Sequence, residues 1–310
     1  MEIIANPLSG KNQGAEIIQQ VKKYLEGRNI PYNLHLTQEQ GHGQYLAREL
    51  CRKGASTIVA IGGDGTFHEV LNGMDFEKSR LGLIPSGRGN DYATGTGISR
   101  NPIEALAPII AGIQDETDYI QVGKARCLNV GGTGLDVVVL EHTANKKNSI
   151  SYATSLVHCL LKFDSYPIQV QVEGETKNYD CIMAAVCNGS LFGGGMQLCP
   201  PANNRDGLMD LIIICKPPRV PTLAIMPLFV KGKHMGKSYV THLRCTDVKI
   251  TTPAPIELDG EIYQGLDFDA RIVPGGCKTF ATRMERKALL LQSNRRAWVD
   301  HLARGHFALP

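Results

Sequence analysis

The densest concentration of chemistry in the sequence is the run Ile61-Gly62-Gly63-Asp64-Gly65-Thr66-Phe67-His68-Glu69-Val70-Leu71-Asn72-Gly73. Successive glycines let the backbone approach a phosphate closely, and a helix opening behind them adds oriented N–H groups and a favourable dipole. Asp64 lies inside that cradle. A carboxylate beside phosphates repels them unless a divalent cation lies between, or unless the acid takes part in proton transfer. The spacing fits neither GxxxxGK[ST] nor GxGxxG. An ordinary strand-to-helix turn does not need three glycines around an acid. Further short polar clusters are Asn6-Pro7-Leu8-Ser9-Gly10, Pro85-Ser86-Gly87-Arg88-Gly89-Asn90-Asp91, Asp206-Gly207-Leu208-Met209-Asp210 and Asp259-Gly260-Glu261. Taken alone, the last of these is a hairpin turn.

The elements that must position these clusters alternate in the first third of the chain. Glu2 to Ala5, Tyr32 to Thr37, Ser56 to Ile61 and Leu81 to Ile84 have strand character. Between them, Ile17, Ile18, Val21 and Leu25, closed by Gly27, recur at helical spacing, and Tyr45, Leu46 and Leu50 mark a second helix. Phe67, Val70 and Leu71 form the expected buried face of a third. Such alternation predicts a parallel sheet with helices on both faces, and ligands in such sheets sit beyond the carboxyl ends of the strands. The glycine corners lie there. After about residue 118 the pattern becomes antiparallel β, with apolar segments at Tyr119 to Val122, Leu135 to Leu140, Ile168 to Val172, Ile182 to Val186, Leu208 to Cys215 and Val248 to Thr251. Helices are expected at Tyr152 to Phe163 and Leu223 to Val230. The resulting division is residues 1–120, 121–277 and a helical segment 278–310.

The 310 residues carry 33 Lys plus Arg against 30 Asp plus Glu, with 43% hydrophobic and 20% charged residues. That composition excludes a disordered chain, and a net charge of +3 is too weak to announce a nucleic-acid partner. No apolar run approaches the length of a membrane span, and residues 1–7 lack the apolar stretch of a signal peptide. The nine cysteines are odd in number and contain no CxxC pair, which favours reduced thiols and a cytoplasmic setting.

The clusters together resemble the diacylglycerol kinase catalytic-domain family of lipid kinases, which includes sphingosine and ceramide kinases. Gly62-Gly63-Asp64-Gly65-Thr66 alone is shared with NAD kinases, and Glu69-Val70 with Asn72-Gly73 favours the lipid kinases. Asn6-Pro7-x-Ser9-Gly10 is similar to the family's NPxSG loop, and Pro85 to Ala93 to its PxGTxNDFA loop. Asn188-Gly189 through Gly193-Gly194-Gly195-Met196, Pro200 and Asp206 to Asp210 is similar to its NGxxxGGGM…P…DGxxD block. Val230-Lys231-Gly232-Lys233-His234 and Leu258-Asp259-Gly260-Glu261 complete the set, over about residues 1–275.

The resemblance implies an N-terminal three-layer α/β domain with a mostly parallel sheet and a C-terminal antiparallel β-sandwich-like domain. It implies ATP and Mg²⁺, and a lipid hydroxyl as phosphoryl acceptor at a membrane surface. Carried over residue by residue, nucleotide contacts fall on Asn6, Pro7, Leu8, Ser9, Gly10, Thr37, Gly62, Gly63, Asp64, Gly65, Thr66, Phe67, His68 and Glu69, and on Arg88, Asn90 and Asp91. Magnesium falls on the Asp206 carboxylate with Asn203 and Leu208. The proton acceptor is Glu261, with Asp259 the alternative and Asp64 a further catalytic candidate. Two departures stand out: Arg88 replaces the family's Thr, and Arg205 stands where a second acid is often found before Asp206. Two other readings stay open, a kinase of a soluble substrate of the NAD kinase type and a lapsed kinase that binds without turnover.

Residues 278–310 hold seven basic and two acidic residues, leaving 26 basic against 28 acidic in the rest. At helical spacing Met284, Ala288, Leu291, Trp298, Val299 and Leu302 share one face, opposite Arg286, Arg296 and Arg304. Packing against the first domain is the expectation for this face, with an anionic membrane surface as the alternative.

Overall fold

The computed structural model describes residues 1–144, 155, 158–159, 162–216 and 226–282. The helix expected at Tyr152 to Phe163 falls largely outside these residues; of that expected at Leu223 to Val230, the described part, Met226–Val230, is helical; and the amphipathic face of the tail falls wholly outside them.

The aliphatic runs of the first third become parallel strands: β1 (Glu2–Ala5), β2 (Asn33–Leu36), β3 (Thr57–Gly62) and β4 (Arg80–Pro85), in the spatial order β2-β1-β3-β4. The intervening helices are α1 (Ser9–Glu26), α2 (His42–Arg52) and α3 (Asp64–Gly73), with α4 (Asp91–Thr96) and α5 (Pro102–Ile110) after β4. Side-chain alternation sorts the strands between two layers. Ile3, Ala5, Val59 and Ile61 pack with Ile18, Val21 and Leu25 of α1 and with Leu106 and Ile109 of α5. Ile4, Ile58, Ala60, Leu81 and Leu83 pack with α2 and α3 on the other face. Phe67, Val70 and Leu71 are buried there as their spacing predicts, whereas Tyr45 of α2 points to solvent.

The remaining chain is mostly antiparallel. β5 (Gln114–Val122), β6 (Ala125–Cys127) and β7 (Val130–Gly134) precede α6 (Leu135–Ala144). Then follow β8 (Tyr166–Val172), β9 (Glu175–Cys187), β10 (Leu191–Phe192), β11 (Met196–Gln197) and β12 (Met209–Cys215). After a short helix, Met226–Val230, come β13 (Val240–Cys245), β14 (Asp247–Thr251), β15 (Ile256–Leu258), β16 (Glu261–Tyr263) and β17 (Phe268–Phe280). One core lies on the face carrying Ile120, Val170, Val186, Leu211, Ile213, Val248 and Phe268. Another, on the opposite face of β9 and β12, packs Ile182, Ala185, Ile212 and Ile214 against Leu135 and Val139 of α6. The result is a three-layer α/β domain followed by an antiparallel, sandwich-like β domain.

Two expectations are corrected. Leu135 to Leu140 is helical, not a strand: an unbroken apolar run carries no period to separate the two, and burial of Leu135, Val137 and Val139 suits a helix as well. Lys278 to Phe280 belong to β17 and not to a helical tail. Thr279 pairs with Leu81 of β4, so this strand rejoins the first sheet.

Candidate active site

The strand order turns outward between β1 and β3, which opens a crevice at their carboxyl ends. Three loops meet there. Gly63 and Gly87 bring their backbones together, and a Cβ on Gly87 would stand 2.5 Å from the Gly63 Cα. No other residue type fits that contact. Asn90, in the left-handed region at φ 52°, brackets Gly87: its Oδ1 accepts from the Gly87 N–H at 2.9 Å and its Nδ2 donates to the Gly87 carbonyl at 2.7 Å. The Ser86 N–H donates to the Gly62 carbonyl, and the Ser9 and Ser86 hydroxyls lie 2.6 Å apart. Asn6 Nδ2 donates to Thr66 Oγ1 at 3.3 Å. Gly10, Lys11 and Asn12 all have positive φ, so regular α1 begins only after them. Three successive left-handed residues, two of them with side chains, hold the loop against Ser86 at a conformational cost.

The three loops border a cleft of about 830 Å³, closed on its other side by Leu128, Asn129, Val130, Leu140, Phe192 and Gly194 of the β domain. Asp64 and Asp91 stand side by side in its lining. The Asp91 N–H donates to Asp64 Oδ2 at 3.3 Å, and the Gly194 N–H donates to Asp91 Oδ2 at 2.8 Å. Each carboxylate keeps one buried oxygen, Oδ1, with no hydrogen-bond partner. Burial and the nearby Asp91 charge push Asp64 up to about 6, and burial also raises Asp91. Arg88 is exposed at the cleft edge.

Asp259 and Gly260 form the two-residue turn between β15 and β16, both at positive φ (53° and 90°), as a tight hairpin requires. The Asp259 carboxylate accepts from the Leu128 and Asn129 N–H groups, each at 2.8 Å, and from the Cys127 thiol. It also meets His68 Nδ1 at 3.0 Å. Since a carboxylate only accepts, His68 Nδ1 carries the proton and Nε2 accepts from the Tyr263 hydroxyl at 2.7 Å. Every strong acceptor direction of Asp259 is thus committed. Glu261 is freer: its Oε2 accepts from Gln40 Nε2 at 2.8 Å, and Oε1 lies against Gly65, 3.0 Å from where a Cβ would stand. Behind the turn, Glu257 is fully buried, its carboxyl driven well upward by burial and by Asp136, while its Oε2 accepts the Gly260 N–H.

The structure brings together Asn6, Ser9, Gly10, Gly62, Gly63, Asp64, Gly65, Thr66, Phe67, His68, Arg88, Asn90, Asp91, Asp259 and Glu261. Pro7 and Thr37 lie at the outer side of the first loop, where Thr37 donates its N–H to the Ala5 carbonyl, and Leu8 is exposed. Glu69 is turned elsewhere, both of its oxygens accepting from the Gly41 and Gly43 amides at the start of α2. The segment Asn203, Asp206 and Leu208 is organised separately. Asp118 accepts from the Gly207 and Gly275 amides, and Asp206 forms an ion pair with Arg244 while accepting the Leu208 N–H. Sequence reasoning did not single out Asn129, Tyr263 or Asp118, nor the Asn72–Arg126 latch, in which Asn72 exchanges backbone hydrogen bonds with Arg126 at 2.7 and 3.0 Å.

A crevice at the strand ends, glycine corners, paired acids and a third carboxylate on an opposing turn define a phosphotransferase site. Residues 1–122 match the diacylglycerol kinase catalytic domain, and residues 129–281 match the YegS C-terminal NAD kinase beta sandwich-like domain. The two matched domains together span most of the chain, which is similar to the diacylglycerol kinase catalytic-domain family of lipid kinases. It is 29% identical over 280 residues to "Probable lipid kinase YegS" of Salmonella newport (strain SL254) and, equally, of Salmonella gallinarum, covering 87% of this chain and 93% of each relative. A crystal structure of a diacylglycerol kinase from Bacillus anthracis str. Sterne shares the fold at TM-score 0.68 and 18% identity, covering 90% of this chain and 96% of that one.

Proposed function

We propose that the chain transfers the γ-phosphoryl group of ATP to a hydroxyl of a diacylglycerol-like or related lipid, with Mg²⁺ accompanying the nucleotide. The observation that carries this reading is the pair Asp64 and Asp91, two adjacent acids that each keep a buried, unpartnered oxygen beside backbone that can cradle phosphates. An unaccompanied triphosphate would be repelled there. A hard divalent cation takes oxygen ligands from carboxylate and phosphate together, so the donor set fits Mg²⁺. When bound, such a cation neutralises charge on the β- and γ-phosphate oxygens. By contrast, the guanidinium of Arg244 already neutralises Asp206, and a cation at Asn203, Asp206 and Leu208 would have to displace it.

The chain's own residues supply the rest. The amides of the Asn6–Gly10 and Gly62–Thr66 loops hold phosphate oxygens, and Arg88 adds a charged contact from the rim. Glu261, with a carboxylate oxygen facing Gly65, takes the proton of the lipid hydroxyl as it attacks in line with the leaving ADP. Asp259 holds the turn in place through its amide and His68 bonds. The apolar wall of Leu128, Val130, Leu140 and Phe192 faces the lipid's glycerol and first acyl carbons. Among the described residues no helix is long and apolar enough to cross a membrane. A cytoplasmic protein that docks peripherally on its substrate bilayer accommodates this reading.

Incubation with γ-labelled ATP, Mg²⁺ and total cell lipids, followed by organic extraction, tests it. Label should enter one lipid class and depend on Glu261. Transfer to NAD instead, or no transfer by protein that binds nucleotide, would overturn it.

A further inference from the structure

A second group of chemically active side chains lies in the β domain, away from the cleft. Cys199, Asp210 and His242 place one ligand atom each within 4.8 Å of one another. Asp210 stands on β12, with Cys187 directly opposite it on β9, and the Cys187 thiol hydrogen-bonds Cys199. His242 comes from β13, where it pairs with Ile212, diagonal to Asp210. Its Nε2 lies 2.6 Å from Asp210 Oδ1. Asp210 is 1% exposed, and its second oxygen, Oδ2, is buried with no hydrogen-bond partner.

A buried carboxylate with an orphaned oxygen is costly in an apolar core. Here it faces two thiols and an imidazole, soft and borderline donors that single out a thiophilic transition metal from Mg²⁺ or Ca²⁺. We infer that Cys187, Cys199, Asp210 and His242 form a structural binding site for a zinc-class divalent cation. Four protein donors fill a tetrahedron and leave no open position, which suits a structural role over a catalytic one. Zinc holds sulfur at about 2.3 Å and imidazole nitrogen at about 2.0 Å; Cys199, Asp210 and His242 already gather their ligand atoms within 4.8 Å, and the Cys187 thiol, bonded to Cys199, is the fourth donor.

Charge supports the assignment. Two thiolates and one carboxylate around a dication leave one excess negative charge, which the Arg244 guanidinium, 3.8 Å from Asp210 Oδ1 and shared with Asp206, screens. His242 is part-exposed, giving the cation a path from solvent. The site would pin the segment that runs from Gly193 and Gly194 at the cleft wall to Cys199 onto the sheet of β9, β12 and β13. It is independent of the phosphotransfer reading.

The test uses the full chain, reduced and stripped with a chelator, then titrated with Zn²⁺ alone and with Co²⁺ alone. The expected result is one equivalent of zinc retained through desalting. Cobalt should give the intense visible bands of a tetrahedral ion with a near-ultraviolet thiolate charge-transfer band. Cys199→Ser and His242→Ala should each weaken binding by at least about tenfold, since loss even of an outer hydrogen-bond partner costs that much. Cys199→Ser should also diminish the charge-transfer band, while the metal-free variant keeps the parent's circular dichroism. Absence of retained zinc, a weak octahedral cobalt spectrum, or binding indifferent to both substitutions would overturn the inference.

Discussion

Replacing Asp64 with Asn should remove activity and, in cation-free protein, raise stability. Burial and the Asp91 charge lift the Asp64 carboxyl from 3.8 to about 6 in the fold. A group whose native pKa is raised binds protons more tightly when folded, so the ionised form present at neutral pH opposes folding. A shift of about two units corresponds to roughly 3 kcal/mol at pH 7.5. The Asn variant can still accept the Asp91 N–H through its amide oxygen but loses the charge assistance of that bond, worth about 1 kcal/mol, leaving a net gain of about 2 kcal/mol. The gain must fade as pH falls from 6 towards 3.8, because Asp64 is then protonated in the native state and progressively in the unfolded one. Urea unfolding of parent and Asp64→Asn in chelator, at pH 7.5 and pH 4.5, measures both quantities. A variant less stable than the parent at pH 7.5, or a gain independent of pH, would refute the account of Asp64 as a charge held at the expense of stability. Saturating Mg²⁺ with nucleotide should stabilise the parent and leave the variant unmoved, reversing their order.

Glu261→Gln should lower kcat by about a hundredfold or more while nucleotide affinity, followed by a fluorescent ATP analogue, stays within a factor of two or so. Gly87→Ala places a methyl 2.5 Å from the Gly63 Cα; separating the two corners should cost about 1–3 kcal/mol in urea unfolding and raise KM for ATP. Asn72→Ala removes the bonds to Arg126 and to the His68 carbonyl, and should cost about 2 kcal/mol with a smaller effect on KM than on thermal stability. Arg88→Thr should raise KM for ATP several-fold with kcat little changed, as loss of a rim contact made equally in ground and transition states requires.

What was legible in the sequence was whatever its chemistry compresses into a few consecutive residues. The corner Gly62 to Thr66 announced a phosphate cradle because glycine repetition and an acid stand together, and the alternation of aliphatic runs with helical periods gave the order of the first domain. Leu135 to Leu140 misled because three successive valines fit a strand and a buried helix equally well. Val130 to Gly134, three glycines in five residues, reads as a turn but forms β7, its register set by β9 and β15. Glu69 followed the motif in sequence but not in space. Five residues after Asp64 it stands about 140° round α3, where the α2 amides claim it. The union of His68 with Asp259 and Tyr263 joins positions 191 and 195 residues apart, and no local spacing encodes it.

The last strand sets a condition on how the protein is made. Among the described residues β4 is hydrogen-bonded on one side by β3 and on the other only by β17, through Thr279 and Leu81, and β17 also pairs with β5 from Gln114 to Val122. During synthesis the first 122 residues leave the ribosome long before residue 268 exists. Throughout that interval the nascent first domain presents β4 and β5 as unpaired edges, ready to join any other extended chain. A ribosome stalled midway would release a species prone to self-association, whereas release after Phe280 lets one strand close both edges at once.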